Sequence, residues 1–500
     1  MKKFLSMILC VSMALGLALS AVAVPARAES DEDFYVKIGL FYMSTAVSSV
    51  TVVSGDGFIL ADTDRYGFTE REDLRDYTSL IIEYVDGYAT VFDMDDNVII
   101  DSVDQNVALI SASEDPDSRI VTINGVKYRD GVVAAPYTTG PKLAVANYIT
   151  LEHYLWGVVP SEMGYQYGAE ALKAQAVTAR SFTLANLNKH GGGALSFDLC
   201  SKTHCQAYNG VSQEHTSTTN ACKATAGEIL TYNGKVVTAY YHAYNGGYTM
   251  DPSDVWSTPL GYLSSDRDEY TSLHSWNTSF SFEELSSLLA GYDVGQVEAV
   301  RVGKRLSNGA VQELVIEGSG RDVTLSKNMI MSVLNLKSRW FSVLSEGYQP
   351  VSLPDGQGSS SASDGGSGGS ERTIEAYYIA SGASGSVKLP ESSTFHVVSS
   401  SGVSEVAVSD VLFFDGRNNY DPKQDAVETE APEDGENNSG FADEVAENGI
   451  VYFSGIGYGH GVGLCQTGAN NMAAKGFDYT EIIDYYYDDV VLEDLLDAGF

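Results

Sequence analysis

The stretch YLWGVVPSEMGYQYGAEALKAQAVTAR, Tyr154 to Arg180, constrains the fold more than any other in the chain. From Glu170 onward Leu172, Ala176 and Ala179 recur at spacings of three and four, with Lys173 and Arg180 beside them, which predicts a helix with one apolar face. Ahead of it Pro160 and Gly164 interrupt regular structure, so the spacing predicts a loop that carries Glu162 between Val158, Val159 and Met163. Apolar neighbours disfavour the charged form of a carboxyl and raise its pKa toward the range where it donates a proton near neutral pH. The same residues also fit a solvated turn.

Four blocks stand in order: YLWGVVPSEM (Tyr154 to Met163), EALKAQAVTARS (Glu170 to Ser181), AYYHAYNGGYT (Ala239 to Thr249) and GIGYGHGVGLCQTGANNMAAKG (Gly455 to Gly476). Together they resemble the stage II sporulation protein D family and its relatives, the amidase enhancers of bacterial cell walls. The resemblance implies a peptidoglycan lytic transglycosylase that cuts the MurNAc–GlcNAc bond and leaves 1,6-anhydro-MurNAc ends. Glu162 matches the family's catalytic acid. Lys173, Gln175 and Arg180 match its polar helix positions, which orient the acid or the glycan, or merely charge the helix surface. Tyr241, Asn245 and Thr249 match positions lining the groove, while Ala243 stands where many relatives have Ser. Read from the residues, the tyrosines equally suit sheet packing, and Trp256 is a further candidate for stacking on a sugar face.

Two other functions remain open. One is a non-catalytic glycan-binding enhancer of a cell-wall amidase; the other is a hydrolytic muramidase that pairs Glu162 with Asp251 or Asp254, since water-using glycosidases usually need two carboxylates. The expected partners are peptidoglycan glycan strands and, in the enhancer reading, an amidase. A role in the wall remodelling of sporulation follows from the resemblance alone.

The segment FDLCSKTHCQAYNG brings Cys200, His204 and Cys205 within six residues, short enough for one loop to wrap a Zn²⁺ ion, with His190 or Cys222 nearest to complete it. Cys200, Cys205, Cys222 and Cys465 make an even number in an exported chain, which keeps a disulfide open, and reduced thiols are the third possibility. Some proteins that resemble this one carry a Cys/His zinc site just after the catalytic helix, so zinc leads. Such an ion is structural, and the implied chemistry needs no cofactor.

Lys2 and Lys3 precede an apolar run from Phe4 to Val24 and a small-x-small site at Ala26-Arg27-Ala28, which predicts export through residues 1–28 as a signal peptide or an uncleaved anchor. Either way the protein works outside the cytoplasm, and it meets the membrane only through an uncleaved N-terminal segment. The net charge of -37 argues against nucleic acid, whose phosphates need Lys and Arg, and against anionic lipid. The expected architecture is α+β: a β-domain at 33–115, a β-rich catalytic core with a few helices at 116–345, a Ser/Gly and acidic insertion with a small β unit at 346–447, and a return to the core at 448–500. Asn-Gly pairs at 124–125 and 233–234 predict hairpins.

Overall fold

Alternation decides which strands lie at the surface. Ser49–Val53 buries only Val50 and Val52, whereas all eight residues of Leu143–Thr150 are buried, as a central strand covered on both faces requires. The computed structural model describes residues 33–101, 106–137, 140–191, 195–345, 443–447 and 449–499, and the backbone of four short strands between 394 and 420. The export segment at 1–28, the Ser/Gly linker and most of the acidic stretch lie outside the described residues.

The architecture is α+β. Leu143–Thr150 sits third in a seven-stranded sheet ordered Leu199–Cys200, Tyr35–Phe41, Leu143–Thr150, Gly131–Pro136, Val107–Ser111, Phe58–Thr63, Phe68–Leu74. A six-stranded sheet ordered Val126–Arg129, Ile120–Ile123, Ser49–Val53, Ser79–Val85, Tyr88–Phe92, Val98–Ile100 shares its core. The larger sheet crosses the boundary read at residue 115, because Tyr35–Phe41 pairs directly with Leu143–Thr150. Both Asn-Gly turns form, with Asn124 and Gly125 at φ 46° and 85° and Asn233 and Gly234 at 53° and 70°, values that suit a two-residue hairpin.

Helix α1, Leu151–Glu162, grows straight out of the central strand: Thr150 caps it by accepting the His153 N–H at 3.2 Å. This corrects the loop expected around Pro160. Proline inside a helix costs about 3 kcal/mol, but burying each of Leu155, Trp156, Val158 and Val159 contributes about 1.5–3 kcal/mol, and packing prevails. Pro160 lies in the last turn, and Met163 N–H closes the helix on Val159 O at 2.9 Å. Glu162 is thus the terminal residue of a helix. Helices α2 (Ala169–Ala185) and α3 (Thr216–Ala224) pack against α1, and the short α4 (Pro252–Trp256) follows.

A second hydrophobic core lies under residues 276–343 and 446–453. It holds α5 (Phe282–Leu288), opened by a capping box of Ser281 and Glu284, and α6 (Asn328–Leu334). Trp340–Leu344 and Ile450–Ile456 lie side by side here, Leu344 opposite Tyr452, so the chain leaves for residues 346–442 and returns at neighbouring positions of one sheet. Within that insertion, Thr394–Ser399 and Gly402–Ala407 pair as a hairpin, in keeping with the small β unit expected there.

The C-terminal stretch then folds back on the first core. Leu464–Cys465 pairs with Tyr241–His242, α7 (Gln466–Ala474) and α8 (Tyr479–Tyr486) pack on α2, and Val491–Asp494 pairs with Glu228–Tyr232. Gly463 is needed for this closure, since its φ is 71° and a Cβ there would lie 2.1 Å from Tyr240 O. Among the described residues, no helix is long and apolar enough to cross a membrane.

Candidate active site

Glu162 ends α1 half-buried, and three connections fix its carboxyl. Its Oε1 accepts the Ala207 N–H at 2.5 Å, and the Tyr241 hydroxyl bonds the same carboxyl. Gln206 in turn donates Nε2–H to Tyr241 Oη at 3.2 Å, while its Oε1 accepts hydroxyls of Thr183 at 2.8 Å and Tyr154 at 3.3 Å. The Tyr241 proton is thereby directed to Glu162. Burial raises the pKa of Glu162, and the Ala207 N–H and Tyr241 hydroxyl, which favour the carboxylate, only partly offset it. Burial first, then the charge of Glu162, pushes Tyr241 well above the usual phenol range. Among the described residues no second carboxylate contributes to the shift at Glu162.

Asp251, a candidate second carboxylate, is occupied elsewhere: it caps α4, accepting Ser253 N–H at 2.7 Å and Ser253 Oγ–H at 2.5 Å. Gln206 and Ala207 were not foreseen from sequence. Their one signal is adjacency to Cys205, in the loop that also holds the metal candidates.

That loop brings together the four residues expected around zinc. One ligand atom each from His190, Cys200, His204 and Cys205 lies within 4.8 Å of the others. His190 Nε2 is 3.2 Å from Cys205 Sγ, and His204 Nδ1 is 3.4 Å from Cys205 Sγ and 3.7 Å from Cys200 Sγ. Two thiolates and two imidazoles at such separations fit the tetrahedral Cys₂His₂ set in which zinc is held about 2.3 Å from sulfur and about 2.0 Å from nitrogen. Cys222 stands apart, buried beside the Arg180 guanidinium, and the four cysteines among the described residues are free.

Several residues expected to touch substrate are engaged within the fold. Arg180 and Gln175 are both 0% exposed. The Arg180 guanidinium grips Glu152 through two bonds of 2.7 and 2.9 Å and also bonds Glu228 O and Cys222 O, while Gln175 Oε1 takes the Gln466 amide at 3.2 Å. These bonds tie α2 to its neighbours, and both side chains are shut off from solvent in this structure. Asn245 is likewise buried between Asp268 Oδ2 at 2.7 Å and Gly247 N at 2.9 Å, and Thr249 Oγ1 is spent on the backbone of Ser264 and Asp266. The neighbouring Gly246 backs onto Trp340, where a Cβ would meet the indole at 2.3 Å. Lys173 is exposed in part but paired with Glu170 at 2.7 Å and set over the Tyr479 ring, which links α2 to α8.

Trp256 lies half-buried against Tyr240, ring centres 4.4 Å apart, and against His460 at 5.0 Å. His460 accepts the Val462 N–H at 3.0 Å, and burial lowers its pKa to about 4, so it stays neutral as a backbone-bonded residue. Of the seven residues expected at the glycan, only Tyr241 contacts Glu162.

With this geometry in place, comparison with known proteins is informative. Residues 139–232, which span α1, the metal loop and α3, match the Stage II sporulation protein family. Over this segment the chain is similar to the stage II sporulation protein D family. An uncharacterized protein of Brachyspira hyodysenteriae is 33% identical over 184 residues, 36% of this chain and 49% of that protein. The amidase enhancer of Bacillus subtilis is 26% identical over 333 residues, 67% of this chain and 39% of its own length. Stage II sporulation protein D of Bacillus amyloliquefaciens is 29% identical over 216 residues, 39% of this chain and 62% of that protein. The chain spans about half the length of the curated relatives it matches. The matched segment holds Glu162, Gln206, Ala207 and the Cys/His cluster, while Tyr241 is supplied from just beyond its end.

Proposed function

We propose that this protein is a lytic transglycosylase of peptidoglycan, acting outside the cytoplasm in wall remodelling of the kind its relatives' names associate with sporulation. The observation that supports this most is a single half-buried carboxyl with a raised pKa, held by a backbone N–H and a directed tyrosine hydroxyl. A proton donor of this sort suits an acid that acts near neutral pH. Glu162 protonates the oxygen leaving muramic acid C1, then as carboxylate takes the proton from the C6 hydroxyl of the same sugar, closing the 1,6-anhydro ring. The nucleophile is already part of the substrate, so one carboxylate suffices where hydrolysis usually needs two. Mass analysis of digested glycan strands tests it: anhydro ends support the assignment, and reducing ends point to a muramidase.

A second reading draws on the relative named amidase enhancer, which aligns with the largest share of the chain among these three. In it the domain binds glycan and stimulates an amidase without cutting. Wall digestion seen only when an amidase is added supports that reading.

Tyr241→Phe removes a donor that favours the Glu162 carboxylate, so the pKa of the acid rises further. Because the acid must be protonated to act, kcat/KM falls as pH rises through that pKa. The falling limb of the pH profile is therefore expected at higher pH in the variant than in the wild type, together with a lower maximum.

His190, Cys200, His204 and Cys205 are proposed to hold a structural zinc ion, which would brace the loop that runs on into Gln206 and Ala207. Elemental analysis is expected to find about one zinc per chain in the wild type and none in Cys205→Ser. Chelation is expected to weaken cleavage although the metal takes no part in the chemistry, since it frees the N–H that positions Glu162.

A further inference from the structure

Tyr165 lies three residues beyond Glu162 and is 54% exposed, which is unusual for a ring so close to a candidate acid. It is not loose. Its ring stacks on His215, centroids 4.2 Å apart and planes 20° from parallel, and its carbonyl accepts the Ser217 hydroxyl at 2.7 Å. His215 is fixed too: it caps α3 by accepting the Ser217 N–H at Nδ1, 3.3 Å. In the neutral ring that cap puts the proton on Nε2, which donates to no protein group among the described residues. The turn carrying Tyr165 is anchored at both sides, by Tyr167 N–H to Gly164 O at 3.0 Å and Gly168 N–H to Asn470 Oδ1 at 2.9 Å. Two rings from separate elements are thus held together at the surface, with Tyr165 still 54% exposed.

We propose that the Tyr165–His215 pair is a sugar-binding platform, on which a pyranose ring of an N-acetylated glycan strand stacks while Glu162 works on a nearby linkage. Three residues of chain span at most about 11 Å, so the backbone of Tyr165 lies within that distance of the backbone of Glu162. The flat uncharged face of Tyr165 matches the C–H face of a neutral sugar, and aromatic faces of this kind supply contact area with little loss of rotamer freedom. The His215 Nε2–H at the rim donates to an acetamido carbonyl or ring hydroxyl of the same sugar. A ligand recognised through anionic groups fits poorly here, because the chain carries a net charge of -37 and the platform offers no cation of its own.

This inference rests on the reading of Glu162 as a glycan-cleaving acid, and the test separates the two. Binding of chitotetraose is measured by calorimetry in a Glu162→Gln background, where cleavage cannot intervene. Tyr165→Ala is expected to weaken the dissociation constant about tenfold, Tyr165→Phe to leave it unchanged, and His215→Ala to weaken it by less than Tyr165→Ala. Tyr165 is exposed, so its variants are expected to unfold at the same temperature as their parent, whereas His215→Ala, which loses the α3 cap, is expected to unfold at a somewhat lower temperature. Unchanged affinity in Tyr165→Ala overturns the platform and leaves the acid assignment standing. Loss of affinity in Tyr165→Ala, in a protein whose wild type proves unable to cut glycan, upholds the platform and overturns the transglycosylase. A Tyr165→Ala variant that binds sugar normally but no longer stimulates an amidase assigns the surface to a protein partner instead, and also overturns the proposal.

Discussion

Glu162→Gln is expected to abolish glycan cleavage while glycan binding survives. The amide is nearly the same shape and its carbonyl can keep the Ala207 N–H bond, so the helix end and Tyr241 hold their places. What is lost is a proton that can leave. General acid–base catalysis contributes roughly 10²–10⁴-fold, and here one group serves in both protonation states, so a loss toward the upper end of that range is the expected result. Release of anhydro ends over time gives the rate, and co-sedimentation with glycan strands gives the binding. Turnover like that of the wild type in this variant would remove Glu162 from the mechanism altogether.

The second large effect lies away from the chemistry. Arg180→Met keeps much of the side-chain volume but takes away the guanidinium that neutralises Glu152 and satisfies Glu228 O and Cys222 O. Breaking a buried pair by removing one partner costs about 3–5 kcal/mol, and the lower end applies because 32% of the Glu152 side chain remains in solvent. Denaturant unfolding is expected to show that loss, with KM for glycan within about twofold of wild type in the fraction that stays folded. A raised KM at unchanged stability would return Arg180 to the role that its match to the family's polar helix positions suggested.

Arg180 and Glu162 mark the limits of what local sequence discloses. The helix Ala169–Ala185 and both Asn-Gly hairpins were legible, because each depends on residues a few positions apart. The convergence of Cys200, His204 and Cys205 was legible for the same reason. The helical state of Pro160 was not, since it depends on a core assembled from distant strands. Nor does polarity within a helix say whether a side chain faces a ligand or a neighbouring helix: Gln175 meets Gln466, 291 positions away, and no periodicity reports such a partner. The support beneath Glu162 was hidden in the same way, joining Gln206, Thr183, Tyr154 and Tyr241 from four separate elements.

The pairing of Leu344 with Tyr452 gives residues 346–442 an anchorage that does not depend on their own content. The sheet already holds the two ends together, and doubling the length of a flexible segment between fixed points adds only about 0.6 kcal/mol to its closure. That doorway can therefore admit cargo of quite different size, such as a spacer, an adhesive module or a reporter graft, without disturbing the strand pairing on either side of it.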